Sequence, residues 1–156
     1  MAGLCNRVSA TDLGKLFDAP ALASYGEQSS DDAPMGPYDV CNYKQADDKL
    51  TLDLKLVYQC HKRGAAAAAP EYKGLHDAVA TAGGHMESLP DLGDEAYWYY
   101  SGNAGLIQGH IKARKGGILI DVAYATYRLG DKAVDPLVAK QHAIEAAKRL
   151  FAAAAP

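Results

Sequence analysis

Apolar and polar residues alternate with a period of two in two parts of the chain. From Leu50 to Gln59, Leu50, Leu52, Leu54, Leu56 and Tyr58 point one way, while Thr51, Asp53, Lys55 and Gln59 point the other, with Val57 the exception. This spacing predicts a half-buried strand. Tyr38 to Gln45 alternates in the same way, and Ala46-Asp47-Asp48-Lys49 between the two reads as a hairpin turn. With Asp47 and Asp48 as the turn residues, Tyr43 faces Leu52 and Cys41 faces Leu54. A second hairpin is predicted from Leu106 to Arg114 and Ile118 to Tyr127, around Lys115-Gly116-Gly117. A turn at Lys115-Gly116 sets Ile111 opposite Ile120, Ile107 opposite Tyr124 and His110 opposite Asp121. A shift of one residue sets Lys112 opposite Asp121 and keeps the same apolar face. Ala96 to Tyr100 is expected to be a short aromatic strand, closed by a turn at Ser101-Gly102-Asn103.

Helical spacing appears in three other places. Ser9 is placed to cap a short helix, with Asp12 three residues on and Val8 and Leu13 as its hydrophobic staple. Pro20 ends it. Glu71 to Ala82 puts Tyr72, Leu75 and Val79 on one face and stops at Gly83-Gly84. The last helix starts with Asp135 as cap and Pro136 at its first position. Leu137, Ile144 and Phe151 recur along it, with Val138, Ala147 and Leu150 widening the stripe. Residues 24–37 are rich in Gly, Ser, Asp and Pro and read as a mobile surface loop. Residues 63–70 read as an alanine-rich connector. The expectation is a single α+β domain over residues 1–156. It has an antiparallel β-sheet of about five strands in two hairpins, and about three α-helices packed mainly on one face.

Composition narrows the function classes. The formal net charge is only -3, with 16 basic and 19 acidic residues. A nucleic-acid binder would show a basic face instead, so no nucleic-acid partner is expected. No apolar run approaches the length of a transmembrane segment. Met1-Ala2-Gly3-Leu4 is too short to be an export signal. Leu4 stands where a lipoprotein cleavage site needs a small residue, so Cys5 is not expected to be lipidated.

Candidate chemistry is sparse. Cys5, Cys41 and Cys60 lack zinc-ligand spacing. In the expected hairpin Cys60 lies roughly 20 Å from the partner of Cys41 at strand rise, beyond disulfide reach. The spacing leaves two alternatives: a Cys5–Cys41 disulfide joining the first helix to the first strand, or three reduced, buried cysteines. His61, His76, His85, His110 and His142 are scattered, and no nucleophile-elbow, phosphate-loop or dinucleotide motif occurs. No catalytic residue, cofactor or metal site is assigned. Asp91, Asp94 and Glu95 read as turn-forming acids ahead of Tyr97-Trp98-Tyr99-Tyr100. Alternation sends Tyr97 and Tyr99 to one face and Trp98 and Tyr100 to the other. One pair is expected in the core, the other as a ligand or interaction surface for a sugar, peptide or lipid-like molecule.

Cys5 before Val8-Ser9-Ala10-Thr11-Asp12-Leu13, Cys41-Asn42-Tyr43, and Leu89-Pro90-Asp91-Leu92-Gly93-Asp94-Glu95-Ala96-Tyr97 resemble a family of bacterial cell-envelope proteins of unknown function, many of them lipoproteins. The chain is also similar to conserved hypothetical exported proteins of proteobacteria, some studied as antigens. The resemblance implies an extracytoplasmic (periplasmic or secreted) α+β domain and favours the Cys5–Cys41 pair. It supplies no catalytic residues. The expected function is a non-enzymatic interaction or ligand-binding module whose partner is an envelope protein or a small ligand. The alternative is a hydrolase-like enzyme whose pocket gathers Asp94, Glu95, His85 or His110.

Overall fold

The computed structural model describes residues 4–47, 49–103, 106–128 and 135–154. The elements in chain order are α1 (Leu4–Arg7), α2 (Ala10–Leu16), β1 (Ala23–Ser30), β2 (Tyr38–Ala46), β3 (Leu50–Cys60), α3 (Ala65–Thr81), β4 (His85–Ser88), β5 (Glu95–Asn103), β6 (Leu106–Lys115), β7 (Ile118–Arg128) and α4 (Pro136–Ala154). All seven strands form one antiparallel sheet in the order β1-β2-β3-β7-β6-β5-β4. The expectation of about five strands and three helices is therefore corrected, among the described residues, to seven and four, within the same α+β class.

Both added strands lie at sheet edges. β1 falls in the segment read as a loop, and β4 follows the Gly83-Gly84 stop. Their side chains are almost all exposed, so neither strand carries an apolar alternation. Backbone pairing with β2 and β5 forms them, and a hydrophobic pattern does not report that pairing. β5 is also longer than expected, running through Ser101-Gly102-Asn103 opposite β6.

The hairpin faces follow the alternation, but the registers differ. Tyr43 pairs with Leu54 and Cys41 with Leu56, two residues along from the expected partners. Asp47 and Leu50 flank the turn, the Asp47 N–H donating to the Leu50 carbonyl at 3.1 Å and Asp47 Oδ1 accepting from the N–H groups of Lys49 and Leu50; Asp48 lies outside the described residues. In the second hairpin Lys115 pairs with Ile118, so Gly116-Gly117 makes the turn and Lys112 stands opposite Asp121.

The helices divide unevenly between the two faces, three on one and α3 alone on the other. α1, α2 and α4 cover one face, over a core that includes Leu13, Tyr43, Leu52, Leu54, Leu56, Tyr58, Trp98, Ile111, Val122 and Leu150. Gly109 lets the ring of Tyr124 lie across β6: a Cβ there would stand 2.3 Å from the Tyr124 hydroxyl, which accepts from Trp98 Nε1 at 3.1 Å. α3 crosses the other face over a small cluster of Ala68, Tyr72, Tyr97 and Leu119.

Two helices differ from their sequence reading. The alanine-rich connector is the first part of α3, with Pro70 inside the helix. In α4 the side chain of Asp135 caps Leu137 N–H at 2.8 Å, but Leu137 is 69% exposed. The buried stripe is Ala139, Ala143, Ala146, Ala147, Leu150 and Ala154. Small side chains let α4 lie close on the sheet, and the large residues Ile144 and Phe151 are only partly buried. Ser9 caps α2, its hydroxyl accepting from Asp12 N–H at 3.1 Å.

Candidate functional site

The aromatic run of β5 divides between the faces. Trp98, 6% exposed, enters the main core, with Tyr100 stacked on it at 5.7 Å and the Lys140 ammonium 4.9 Å above its ring. Tyr97, 2% exposed, lies under α3, edge-on to Tyr72 at 5.5 Å and to His76 at 5.2 Å. Tyr99 is half-buried and stacks parallel on His110 at 4.5 Å.

α3 leaves much of the sheet beside it uncovered. Between its flank and the start of β5 runs a groove of about 940 Å³. One wall is Ala69, Pro70, Lys73 and Asp77; Met86, Ser88, Leu89 and Pro90 form the other, with Tyr72, Tyr97 and Ala96 also lining it. Such a volume suits a small-molecule or peptide-sized ligand.

The tight link from β4 to β5 places the second wall. Gly93 has φ +75, and a Cβ there would meet the Arg114 carbonyl at 2.5 Å. Asp94 N–H donates to that carbonyl at 2.7 Å.

The charged groups at the mouth are largely engaged. Arg114 donates to Glu95 at 2.7 Å and to Asp94 at 3.2 Å, and Asp94 also accepts from Gly116 N–H at 2.7 Å. These carboxylates tie the β6–β7 turn to β5. Asp77 is hydrogen-bonded by Lys73 and lies 3.3 Å from His76, and both hold its carboxyl below the usual range.

Tyr72 and Tyr97 of the groove are neutral hydroxyls at physiological pH. Burial pushes Tyr72 up to about 12, with Glu95 adding to it. Burial also raises Tyr97 strongly, with Tyr72, Tyr99 and Asp121 contributing. The Tyr97 hydroxyl has no hydrogen-bond partner among the described residues. A buried polar group in that state costs free energy until something pairs with it.

A second polar cluster lies on the same face. Lys112, opposite Asp121, forms an ion pair with it, and His110 approaches it diagonally at 3.7 Å. Desolvation would raise the Asp121 carboxyl, but His110 and Lys112 outweigh it and the net shift is downward.

The other sequence candidates are dispersed. Cys5 and Cys41 are disulfide-bonded with Cα atoms 5.5 Å apart, joining α1 to β2, and Cys60 is free. Asp94 and Glu95 border the groove, but His85 and His110 do not line it. The histidine in the groove is His76, on α3. Tyr72, His76 and Met86 share this site only because α3 folds back over β5, and no local motif marks them. Among the described residues, no His, Cys, Asp and Glu group could hold a metal ion, and no helix is long and apolar enough to cross a membrane.

Fold and groove together define an α+β domain with a sheet covered on one face and a helix-walled cleft on the other. No known protein family matches the sequence, and neither does any curated protein. Among solved structures, the chain is similar to the extracellular domain of PknH from Mycobacterium tuberculosis, with a TM-score of 0.58 and 10% identity, covering 92% of each chain. At that identity the likeness shows a shared fold.

Proposed function

We propose that this chain is an extracytoplasmic, non-enzymatic recognition domain that binds its ligand in the groove between α3 and the β4–β5 hairpin. The observation that carries the reading is the unpartnered Tyr97 hydroxyl, buried in the lining of an otherwise mostly apolar groove. A ligand with an apolar body and one well-placed polar group would satisfy it. The Cys5–Cys41 disulfide suits an oxidising compartment, and the likeness to an extracellular domain supports the same location. The hydrolase alternative is weaker, because Asp94 and Glu95 are occupied by Arg114 and Gly116 and no described histidine is bonded to either.

The test is calorimetry with a panel of saccharides, lipids and peptides, using the wild type and Ala69→Trp, which fills the groove from the helix side. The expected result is a ligand whose binding is lost in Ala69→Trp and weakened in Tyr97→Phe. A ligand bound equally by all three proteins would place the site elsewhere.

A further inference from the structure

The part of that face that α3 does not cover carries a second depression. It lies over β7, the fourth of the seven strands in sheet order, and no residue of α3 lines it. Its floor includes Ala123 and Ala125, both half-buried. Alanine is depleted in strands, and a central strand ordinarily carries bulkier side chains. The register gives each alanine two polar neighbours. Lys55 and His110 flank Ala123, while Asp53 and Gln108 flank Ala125. Short methyl groups between taller polar walls make a trough of about 410 Å³. The walls stand two strand spacings apart, roughly 9–10 Å. Tyr25 and Asn42 extend the β3 side, and Tyr25 is 61% exposed.

The walls hold hydrogen-bonding capacity that the protein uses only in part. Lys55 is exposed and has no ion pair among the described residues. Asn42 donates to the Gly26 carbonyl at 3.2 Å, which leaves its own carboxamide oxygen. Asp53 accepts from the Tyr25 hydroxyl at 3.3 Å and lies 3.8 Å from Lys44, and its two oxygens have room for further donors. Tyr99 stacked at 4.5 Å and Asp121 at 3.7 Å from Nδ1 hold the His110 ring, leaving Nε2 for another partner.

This mixture selects a class of ligand. One ammonium and one carboxylate give the trough no net sign, so it does not select an ion. Strand addition is closed here, because β3 and β6 pair with both sides of β7. An apolar chain would desolvate the polar walls without giving them partners. A sugar ring meets each requirement. Its C–H face packs on methyl groups and on an exposed tyrosine ring, and its hydroxyls both donate and accept. We propose that the trough binds a saccharide, one pyranose ring lying on Ala123 and Ala125 with its hydroxyls bonded by Lys55, Asp53 and His110. The trough shares no lining residue with the groove beside α3, and the proposal does not depend on that groove being a binding site.

The test is NMR of the whole chain, following backbone amide signals during titration with methyl glucoside, methyl mannoside, methyl galactoside, maltose and cellobiose. Glycerol serves as a polyol without a ring. At least one saccharide is expected to shift the amides of residues 123–125 saturably, with a Kd of about 1–10 mM, and glycerol is not. Ala123→Leu with Ala125→Leu raises the floor and should abolish the effect, with circular dichroism confirming the fold. Lys55→Ala and Asp53→Asn keep the floor, and each should weaken binding about three- to tenfold. Ala69→Trp should leave it unchanged. No shift with any saccharide at about 50 mM overturns the proposal. So do equal shifts with glycerol, binding that survives in the folded double leucine variant, or affinity unchanged in both Lys55→Ala and Asp53→Asn. A saccharide whose binding is lost in Ala69→Trp instead belongs to the groove, which overturns the trough and leaves the groove reading standing.

Discussion

The two faces of the sheet are covered in different ways. On one, α1, α2 and α4 close over a continuous core of leucines, tyrosines and Trp98, and the Cys5–Cys41 bond ties α1 down. On the other, the 17-residue helix α3 buries only Ala68 and Tyr72, and Pro70 interrupts its hydrogen bonding. The difference separates two tasks. The first face holds the fold together, while the second carries a groove and packs its helix on a small cluster.

The comparison is broken most directly in the core. Leu54→Ala should destabilise the chain by about 3–4 kcal/mol through lost burial and a residual cavity. Filling the groove with Ala69→Trp should leave stability nearly unchanged while blocking binding. Denaturant titration of both variants checks this, and equal losses would show that the two faces share one packing regime.

Removing the disulfide comes next. Cys5→Ala with Cys41→Ala frees a loop spanning 36 residues of sequence, which costs about 3–4 kcal/mol in the chain-entropy model. The same loss should appear in the wild type on reduction, read as a fall in the unfolding midpoint.

Asp121→Asn probes the polar part of the looser face. It leaves Lys112, 16% exposed, without its partner and should cost roughly 2–3 kcal/mol at neutral pH, less than a fully buried pair would lose. The sign with pH follows from the depressed carboxyl. Its stabilising contribution is complete above the unfolded value near 4 and fades as pH falls through the lower folded value. Wild type and variant should therefore converge in strong acid, and an unchanged gap there would remove the ion pair as the cause.

A finer comparison is amide exchange. α3 should exchange through local opening, faster than the paired strands β3 and β7, whose protection should follow global unfolding. The smallest expected effect is at Ser9→Ala, which removes the α2 cap and should cost about 1 kcal/mol by thermal denaturation.

The chain's own pattern determined the inner strands and their faces. Leu50 to Tyr58 and Ile107 to Tyr124 alternate because one side of each strand is buried, and a period of two records that burial whatever the register. Ser9 and Asp135 were legible as caps because capping is local. Tertiary structure alone decided the rest. β1 and β4 exist through backbone pairing, which leaves no apolar signature. The stripe of α4 is made of alanine because the helix lies close to the sheet, a distance no local pattern encodes. The groove joins α3 to β5 across more than 20 residues of sequence, so Tyr72, His76 and Tyr97 become neighbours only after α3 settles on the second face. Local periodicity reports which side of an element is buried, and only the packed fold reports what buries it and what it leaves open.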